Sequence, residues 1–389
     1  MTTVIDNRHR TAVICLSPNK GGMELDAAKL ARLLSAELEI VLIIKRGGYL
    51  DIQHAQPNQD HHYLVETVDF KSMFSLALIS QLHRIFISQQ IRNVIFFGAS
   101  ELKSLYFALL GLDVNLIVRH GTTKRTPKKD WFHRRVYAPV KAHIVISNHL
   151  EKNIRSILHI PAPTEVALIY PSFAYSTPEY QPPANPVRLI HVGRICAGKG
   201  QDVALRVCQK LKTHNIDFEL TFLGDINAEP AEFSRLQSLV VELGLQNQVR
   251  FAGHVQDVHS HLLQSDVFLF PSAGEGFGNV IAEALFSGLV PIVFDNTSIP
   301  EIRQNLGFYL HAIEDGNEDA MAETLMNVCK EIVQEKRRAY ANVKLAASVF
   351  AEERERGQYL ALLARISDQR QTSAKNKQKN SSVHSHGQH

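Results

Sequence analysis

Two glutamates eight positions apart, Glu275 and Glu283, enclose the turn Gly276-Phe277-Gly278-Asn279. The segment before them, Val267-Phe268-Leu269-Phe270-Pro271, reads as a buried strand, and the apolar run to Gly288 reads as a helix. A strand, a glycine-bearing turn and a helix make an anion site, because the free N–H groups of the helix start point back at the turn. One carboxylate lies in the turn and the other lies one to two turns into the helix. That suits a ligand with phosphate in its middle and hydroxyls at both ends, which describes a nucleotide-sugar. Glu283 stands between Ala282 and Ala284 on a helix apolar nearly all round, so burial is expected for it. A buried carboxylate needs a partner, either such a ligand or a neighbouring cation.

A second cluster follows the strand pattern Val187–Val192: Gly193-Arg194-Ile195-Cys196-Ala197-Gly198-Lys199-Gly200. It comes close to a phosphate-binding P-loop, but that motif needs Ser or Thr at position 200 to hold Mg²⁺, and Gly stands there. No downstream strand offers a clear Walker-B aspartate. Two fixed cations, Arg194 and Lys199, suit a different task, stabilising the charge that develops on a departing diphosphate. Metal-dependent sugar transfer would call for an Asp-x-Asp pair, and the chain has none. Gly274-x-Gly276-x-Gly278 does not complete a dinucleotide fingerprint, since position 279 is Asn.

These segments resemble the motifs of retaining family 4 glycosyltransferases with the GT-B fold, and the general look is similar to bacterial lipopolysaccharide core and envelope polysaccharide enzymes. Glu275 and Glu283 match the E-x7-E motif, and Arg194 and Lys199 match the G-R-x(n)-K-G element. The resemblance implies that Glu275 contacts the transferred sugar, Glu283 the ribose, and Arg194 and Lys199 the diphosphate. It places Gly193, Gly276, Phe277, Gly278 and Asn279 beside the donor. It extends to Gly224, at the end of the strand Phe218–Leu223, and to Val255, near the base after Gly253-His254. In the first half it covers Gly21 and Gly22 in the loop Gly21-Gly22-Met23-Glu24, which closes over the diphosphate in many members. It also covers His120, at a strand end near the sugar's reactive face. The plain readings are a glycine turn for the loop, surface cations for Arg194 and Lys199, and one incidental histidine among 19 for His120. The implied reaction is retaining and metal-independent, with no cofactor, and the acceptor hydroxyl attacks from the leaving group's face. The implied partners are a nucleotide-sugar donor and a glycan or glycolipid acceptor. The resemblance is strongest over 187–305 and looser over 11–170.

With 389 residues, 45% apolar and 21% charged, the chain has the composition of a globular protein of two domains. No run of 18 apolar residues suggests a membrane span, and Met1–Asp6 lacks the features of a secretory signal. Cys15, Cys196, Cys208 and Cys329 have no metal-ligand spacing and read as free thiols in a reducing compartment. A cytoplasmic enzyme touching the inner face of the membrane fits these features. The net charge of +3 does not suggest nucleic acid, and no nucleic-acid motif is present. From Arg119 to Arg135, however, seven basic residues stand against one acid, Asp130, with Trp131 and Phe132 among them. That stretch reads as a contact for an anionic membrane surface or a phosphorylated acceptor, or as a solvated loop.

The chemistry-bearing turns need strands to hold them. Apolar runs at Thr11–Leu16, Glu39–Lys45, Asn93–Phe97, Val114–Arg119, Ala142–Ser147 and Val166–Tyr170 alternate with helical patterns, which implies a parallel sheet. Five of the 15 prolines then fall between Pro171 and Pro186, as in an extended linker. The alternation restarts at Val187–Val192 and continues through Phe218–Leu223, Val249–Phe251, Val267–Phe270 and Leu289–Phe294. The expected fold class is α/β, a GT-B arrangement of two tandem Rossmann-like domains facing a cleft. The expected division is an acceptor domain over 1–172, a linker over 173–186 and a donor domain over 187–340. A helix over 341–367 is expected to cross back to the first domain, and 368–389 reads as a disordered polar tail. The alternatives are a non-catalytic nucleotide-sugar-binding protein of the same fold and a P-loop nucleotide hydrolase.

Overall fold

The structure is a computed structural model that describes residues 9–56, 62–98 and 100–384, with side chains as far as Gln369. Met1–Asp6, read above for a signal, and His386 and His389 of the tail lie outside the described residues. The chain divides into two compact units. Unit 1 comprises Met1–Ile146, Leu150–Pro171 and Glu352–His389; unit 2 comprises Ser147–His149 and Ser172–Ala351.

Unit 1 is built on seven strands: β1 (Arg10–Cys15), β2 (Ile40–Lys45), β3 (Leu64–Val68), β4 (Ile91–Phe97), β5 (Asn115–His120), β6 (Val140–Val145) and β7 (Glu165–Leu168). The helices α1 (Gly22–Leu34), α2 (Tyr49–His54), α3 (Leu76–Ser88), α4 (Leu102–Ala108), α5 (Trp131–Tyr137) and α6 (Asn148–Ile157) connect them. The order is β3-β2-β1-β4-β5-β6-β7, all parallel. The central strands are Val/Ile/Leu runs buried on both faces, as a helix-covered parallel sheet requires. The strand order reverses between β1 and β4, so ligand-binding turns belong at their carboxyl ends. β3 escaped the sequence reading because it is a short edge strand, exposed at Leu64 and buried only at Val68.

Unit 2 repeats the architecture with six strands: β8 (Val187–Val192), β9 (Phe218–Leu223), β10 (Val249–Gly253), β11 (Val267–Phe270), β12 (Val290–Phe294) and β13 (His311–Ile313). Its helices are α7 (Gln201–Thr213), α8 (Pro230–Glu242), α9 (Val258–Leu263), α10 (Asn279–Phe286), α11 (Glu318–Lys330) and α12 (Ile332–Val349), with a π-helical turn at Glu301–Asn305. The parallel order is β10-β9-β8-β11-β12-β13, which reverses between β8 and β11. β13 has three residues, too few for a pattern to show.

The proline-rich stretch lies along unit 2. Its Ala184 N–H and the Arg188 N–H donate to the carboxylate of Asp266, which also holds the ammonium of Lys336 at 3.2 Å. Lys336 and Asp266 are both buried, so each satisfies a charge that would otherwise be costly to desolvate.

The expected crossing helix is corrected at its start. The helical pattern is broken at Phe350-Ala351: α12 belongs to unit 2, and a separate helix, α13 (Glu352–His384), belongs to unit 1. α13 places Tyr359, Leu362, Leu363 and Ile366 in the core beside Ala27, Leu30 and Leu34 of α1. Lys29 pairs with Glu355 at 3.1 Å alongside. The helix also runs through 368–384, where composition suggested disorder.

Candidate active site

The two sequence clusters of the C-terminal half leave from the carboxyl ends of β8 and β11, the neighbouring strands at which the order of unit 2 reverses. Topology therefore brings Lys199 to Glu275: the ammonium lies 2.6 Å from Oε1. The hydroxyl of Ser272 donates to the same oxygen at 2.9 Å. The carbonyl of Gly198 accepts the Ala273 N–H at 2.9 Å, which ties the two loops together. Arg194 is exposed, and among the described residues no carboxylate pairs with its guanidinium. Of the two cations, Lys199 is thus engaged by a carboxylate and Arg194 is exposed.

Two glycines permit this approach. Gly200 has φ +78°, and a Cβ there would stand 2.0 Å from the carbonyl oxygen of Pro271. A Ser or Thr cannot occupy the position, so the P-loop reading fails on space as well as on residue type. At Gly224 (φ +155°) a Cβ would stand 1.9 Å from the Gly193 carbonyl oxygen. Gly193 and Gly224 are thus where the ends of β8 and β9 pack together.

Backbone support comes from residues that spacing did not reveal. Gln201, buried at the start of α7, donates to the Arg194 carbonyl at 2.9 Å. His191 donates from Nε2 to the Lys199 carbonyl at 2.9 Å. Burial lowers the His191 pKa from 6.5 to about 4, so the ring is neutral and its tautomer is fixed by that bond. Thr297 accepts the Glu275 N–H on its hydroxyl at 3.0 Å and does so at φ +44°. A β-branched residue in the left-handed region is strained, and such strain gathers at functional sites.

Gly278 (φ +87°) caps α10, and Asn279 and Val280 open its first turn, the place where helix N–H groups are left for a ligand. Phe277 is buried and Ser298 donates to its carbonyl at 2.7 Å, fixing the turn. Glu283 is half-buried, a correction to the full burial its neighbours implied. The hydroxyl of Tyr175, from the proline-rich stretch, donates to its carboxylate. Burial first, then Glu283 and Asp257, push the Tyr175 pKa upward. Tyr175 stacks on His259 with ring centroids 4.1 Å apart. Val255 follows Gly253 (φ +71°) at the end of β10 and is half-buried.

In unit 1, Gly21 and Gly22 lie where β1 gives way to α1, and the carboxylate of Glu24 folds back so that a Cβ on Gly21 would be 2.9 Å from its Oε2. His120 ends β5 and is buried. Its Nε2 lies 2.9 Å from His143 Nδ1, and its Nδ1 lies 3.3 Å from the Lys124 ammonium. Lys124 is a donor only, so Nδ1 accepts and Nε2 carries the proton given to His143. Burial, then Lys124, hold the His120 pKa well below 6.5.

The basic stretch is corrected at one end. Arg119 is 4% exposed, pairs with Asp26 at 2.7 Å and lies over the Phe97 ring. It belongs to the core and cannot meet a membrane. Trp131, at 76%, and Arg125, Lys129, Arg134 and Arg135 are exposed.

Residues 176–344 match the family described as "Glycosyl transferases group 1". A capsular polysaccharide biosynthesis glycosyltransferase, CapH of Staphylococcus aureus, is 26% identical over 312 residues, 76% of this chain and 84% of that protein. Other curated relatives match over 25 to 51% of their own length. A glycosyltransferase structure from Rickettsia africae superposes with a TM-score of 0.79 at 19% identity, covering 92% of this chain and 99% of that one. The Anabaena protein HepE, crystallised with UDP and glucose, superposes with a TM-score of 0.75 at 18% identity over 92% and 100%. Two parallel α/β sheets, each with its turns gathered at a switch point, are the GT-B fold. The family match, over 176–344, falls within unit 2. Among the described residues no helix is long and apolar enough to cross a membrane.

Proposed function

We propose that the protein transfers a sugar, with retention and without a metal, from a uridine-diphosphate sugar to a glycan or glycolipid of the cell envelope, such as lipopolysaccharide core. The observation that carries this reading is the Lys199–Glu275 pair at 2.6 Å beside the open guanidinium of Arg194. Lys199 and Arg194 supply the charge that holds the diphosphate and stabilises it on departure. Glu275, displaced from part of its lysine contact, accepts hydroxyls of the sugar. Glu283 takes the ribose, with Tyr175 holding its carboxylate. Gly276, Phe277, Gly278 and Asn279 present the helix start to phosphate.

The sugar–phosphate bond breaks as the acceptor hydroxyl approaches from the same face, and the departing phosphate oxygen takes the hydroxyl proton. His120 takes the sugar- or acceptor-positioning role that the resemblance implies for it. The exposed Trp131 and its neighbouring cations hold the enzyme at the inner membrane face. The uridine choice is supported by the UDP in the HepE structure, and the envelope acceptor by the name of CapH.

Thermal shift against UDP-, GDP- and ADP-sugars in EDTA tests the reading. UDP-sugars are expected to stabilise the wild type and not Lys199→Ala. Stabilisation by ATP or GTP with Mg²⁺ alone would sink it.

A further inference from the structure

The cations of the basic stretch fall into two groups. Arg125, Lys129, Arg134 and Arg135 are exposed, whereas Lys124 and Lys128 are recessed. The recessed pair sits on a loop tied to α6 at two points. The Lys124 N–H donates to Asn153 Oδ1 at 2.9 Å, Asn153 donates back to the Lys124 carbonyl at 2.9 Å, and the Lys128 N–H donates to the Ile157 carbonyl at 2.8 Å. Lys103 approaches from α4, its ammonium 5.3 Å from the centre of the Phe132 ring. Among the described residues no carboxylate pairs with any of these three lysines. The one acid of the stretch, Asp130, is committed to the N–H groups of Phe132 and His133 at the start of α5.

Recessed ammoniums without counter-ions are unfavourable, and these also repel one another. Burial and then Lys128 lower the Lys124 pKa to about 8; burial and then Lys103 lower that of Lys128. Among the described residues the Lys124 ammonium has only the neutral ring of His120 to donate to, at 3.3 Å. An oxyanion seated among the three would meet donors already fixed by the backbone ties and would relieve the repulsion.

We propose that Lys103, Lys124 and Lys128 form a phosphate site on unit 1, beside His120, that holds the phosphate of a phosphorylated acceptor. The naming of an acceptor rests on the transferase reading; the anion site itself does not. The phosphate is a monoester or diphosphate, either on a lipid or on a soluble sugar.

The test is calorimetric titration of inorganic pyrophosphate, at low ionic strength, into the full-length chain carrying Arg194→Ala and Lys199→Ala, so that the donor clamp contributes nothing. Pyrophosphate is expected to bind there, and to bind about tenfold or more weakly once Lys124→Ala and Lys128→Ala are added. Lys152→Ala, an exposed lysine of α6 outside the basic stretch, is expected to leave the affinity unchanged. Equal affinity with and without Lys124 and Lys128, or no binding in the clamp-less background, overturns the proposal.

A second reading uses the wild type and is immune to misfolding of variants. The Lys124 ammonium, followed by lysine ¹⁵N NMR, should titrate at higher pH with pyrophosphate than without; an unmoved titration also overturns the site. Competition assigns the source. Displacement of pyrophosphate by phosphatidylcholine vesicles containing phosphatidic acid supports a lipid-borne phosphate, and displacement by glucose 1-phosphate supports a soluble one. Displacement by neither overturns the acceptor role. UDP binding to the wild type is measured separately, so a missing donor site and a missing phosphate site give different results.

Discussion

The ammonium of Lys199 lies 2.6 Å from Oε1 of Glu275, although 76 positions separate the two residues. Both side chains are mostly buried, at 23% and 19% exposure, so the pair is neither a solvated surface contact nor a sealed core bridge. It holds the carboxylate and the cation in fixed positions, as the proposed handling of a diphosphate and a sugar requires.

Removing either partner should therefore cost more than binding. Lys199→Ala and Glu275→Ala are each expected to lower kcat/KM by about a hundredfold or more, the range for a lost charge-stabilising donor. The double variant is expected to fall well short of the product of the two losses, because the residues act as a unit. Full transfer activity in Glu275→Ala would remove that residue from the mechanism.

Gly200 and Gly224 are set by space. Gly200→Ala and Gly224→Ala each place a Cβ about 2 Å from a carbonyl oxygen, at a positive φ. Each is expected to lower stability by more than about 2 kcal/mol, measured by urea unfolding. Gly198→Ala, with φ +84° and open space, is expected to cost less.

Tyr175 should matter through Glu283. Tyr175→Phe keeps the stacking on His259 but loses the hydroxyl that Glu283 accepts. The expected result is a raised donor KM, by about tenfold or less, with kcat little changed, as for loss of a contact made equally in ground and transition states. A fall in kcat at constant KM would contradict the ribose assignment of Glu283.

Acid should unfold the protein through its buried histidines. His143 and His191 have folded pKa values near 4, against 6.5 when exposed. Between those values the unfolded chain binds more protons, so stability falls as pH falls from about 6.5 toward 4 and is fully present above that window. The loss is expected to reach a few kcal/mol in total. Melting temperatures at pH 7 and pH 5 measure it, and His191→Gln should show a shallower pH dependence than the wild type.

Much of this was legible in one dimension. The strands β11 and β12 are apolar throughout, and β8 and β9 interrupt their apolar runs only at Arg188, His191, Glu219 and Thr221, which suits strands of a helix-covered parallel sheet. The glutamate pair around Gly276-Phe277-Gly278 and the cations Arg194 and Lys199 showed because their residue types and spacing suit a phosphorylated sugar. What stayed hidden was either too short to carry a period, as with β13, or made by residues far apart in the chain. Gln201, Thr297 and Tyr175 are ordinary residues in sequence and become supports only where the backbone brings them to Arg194, Glu275 and Glu283. Composition also misplaced Arg119, which charge alone put on the surface and Asp26 holds in the core.

By itself the sequence determined the α/β class and the break near Pro171, and it singled out Glu275, Glu283, Arg194 and Lys199 as candidates, because periodicity and turn chemistry are local properties. Only the tertiary structure decided that Lys199 engages Glu275 while Arg194 stays exposed, that α13 completes the core of unit 1, and that Lys124 and Lys128 are recessed with no counter-ion among the described residues. Those outcomes depend on which strand ends become neighbours and which side chains lose water, and burial and distance are properties of the packed chain alone.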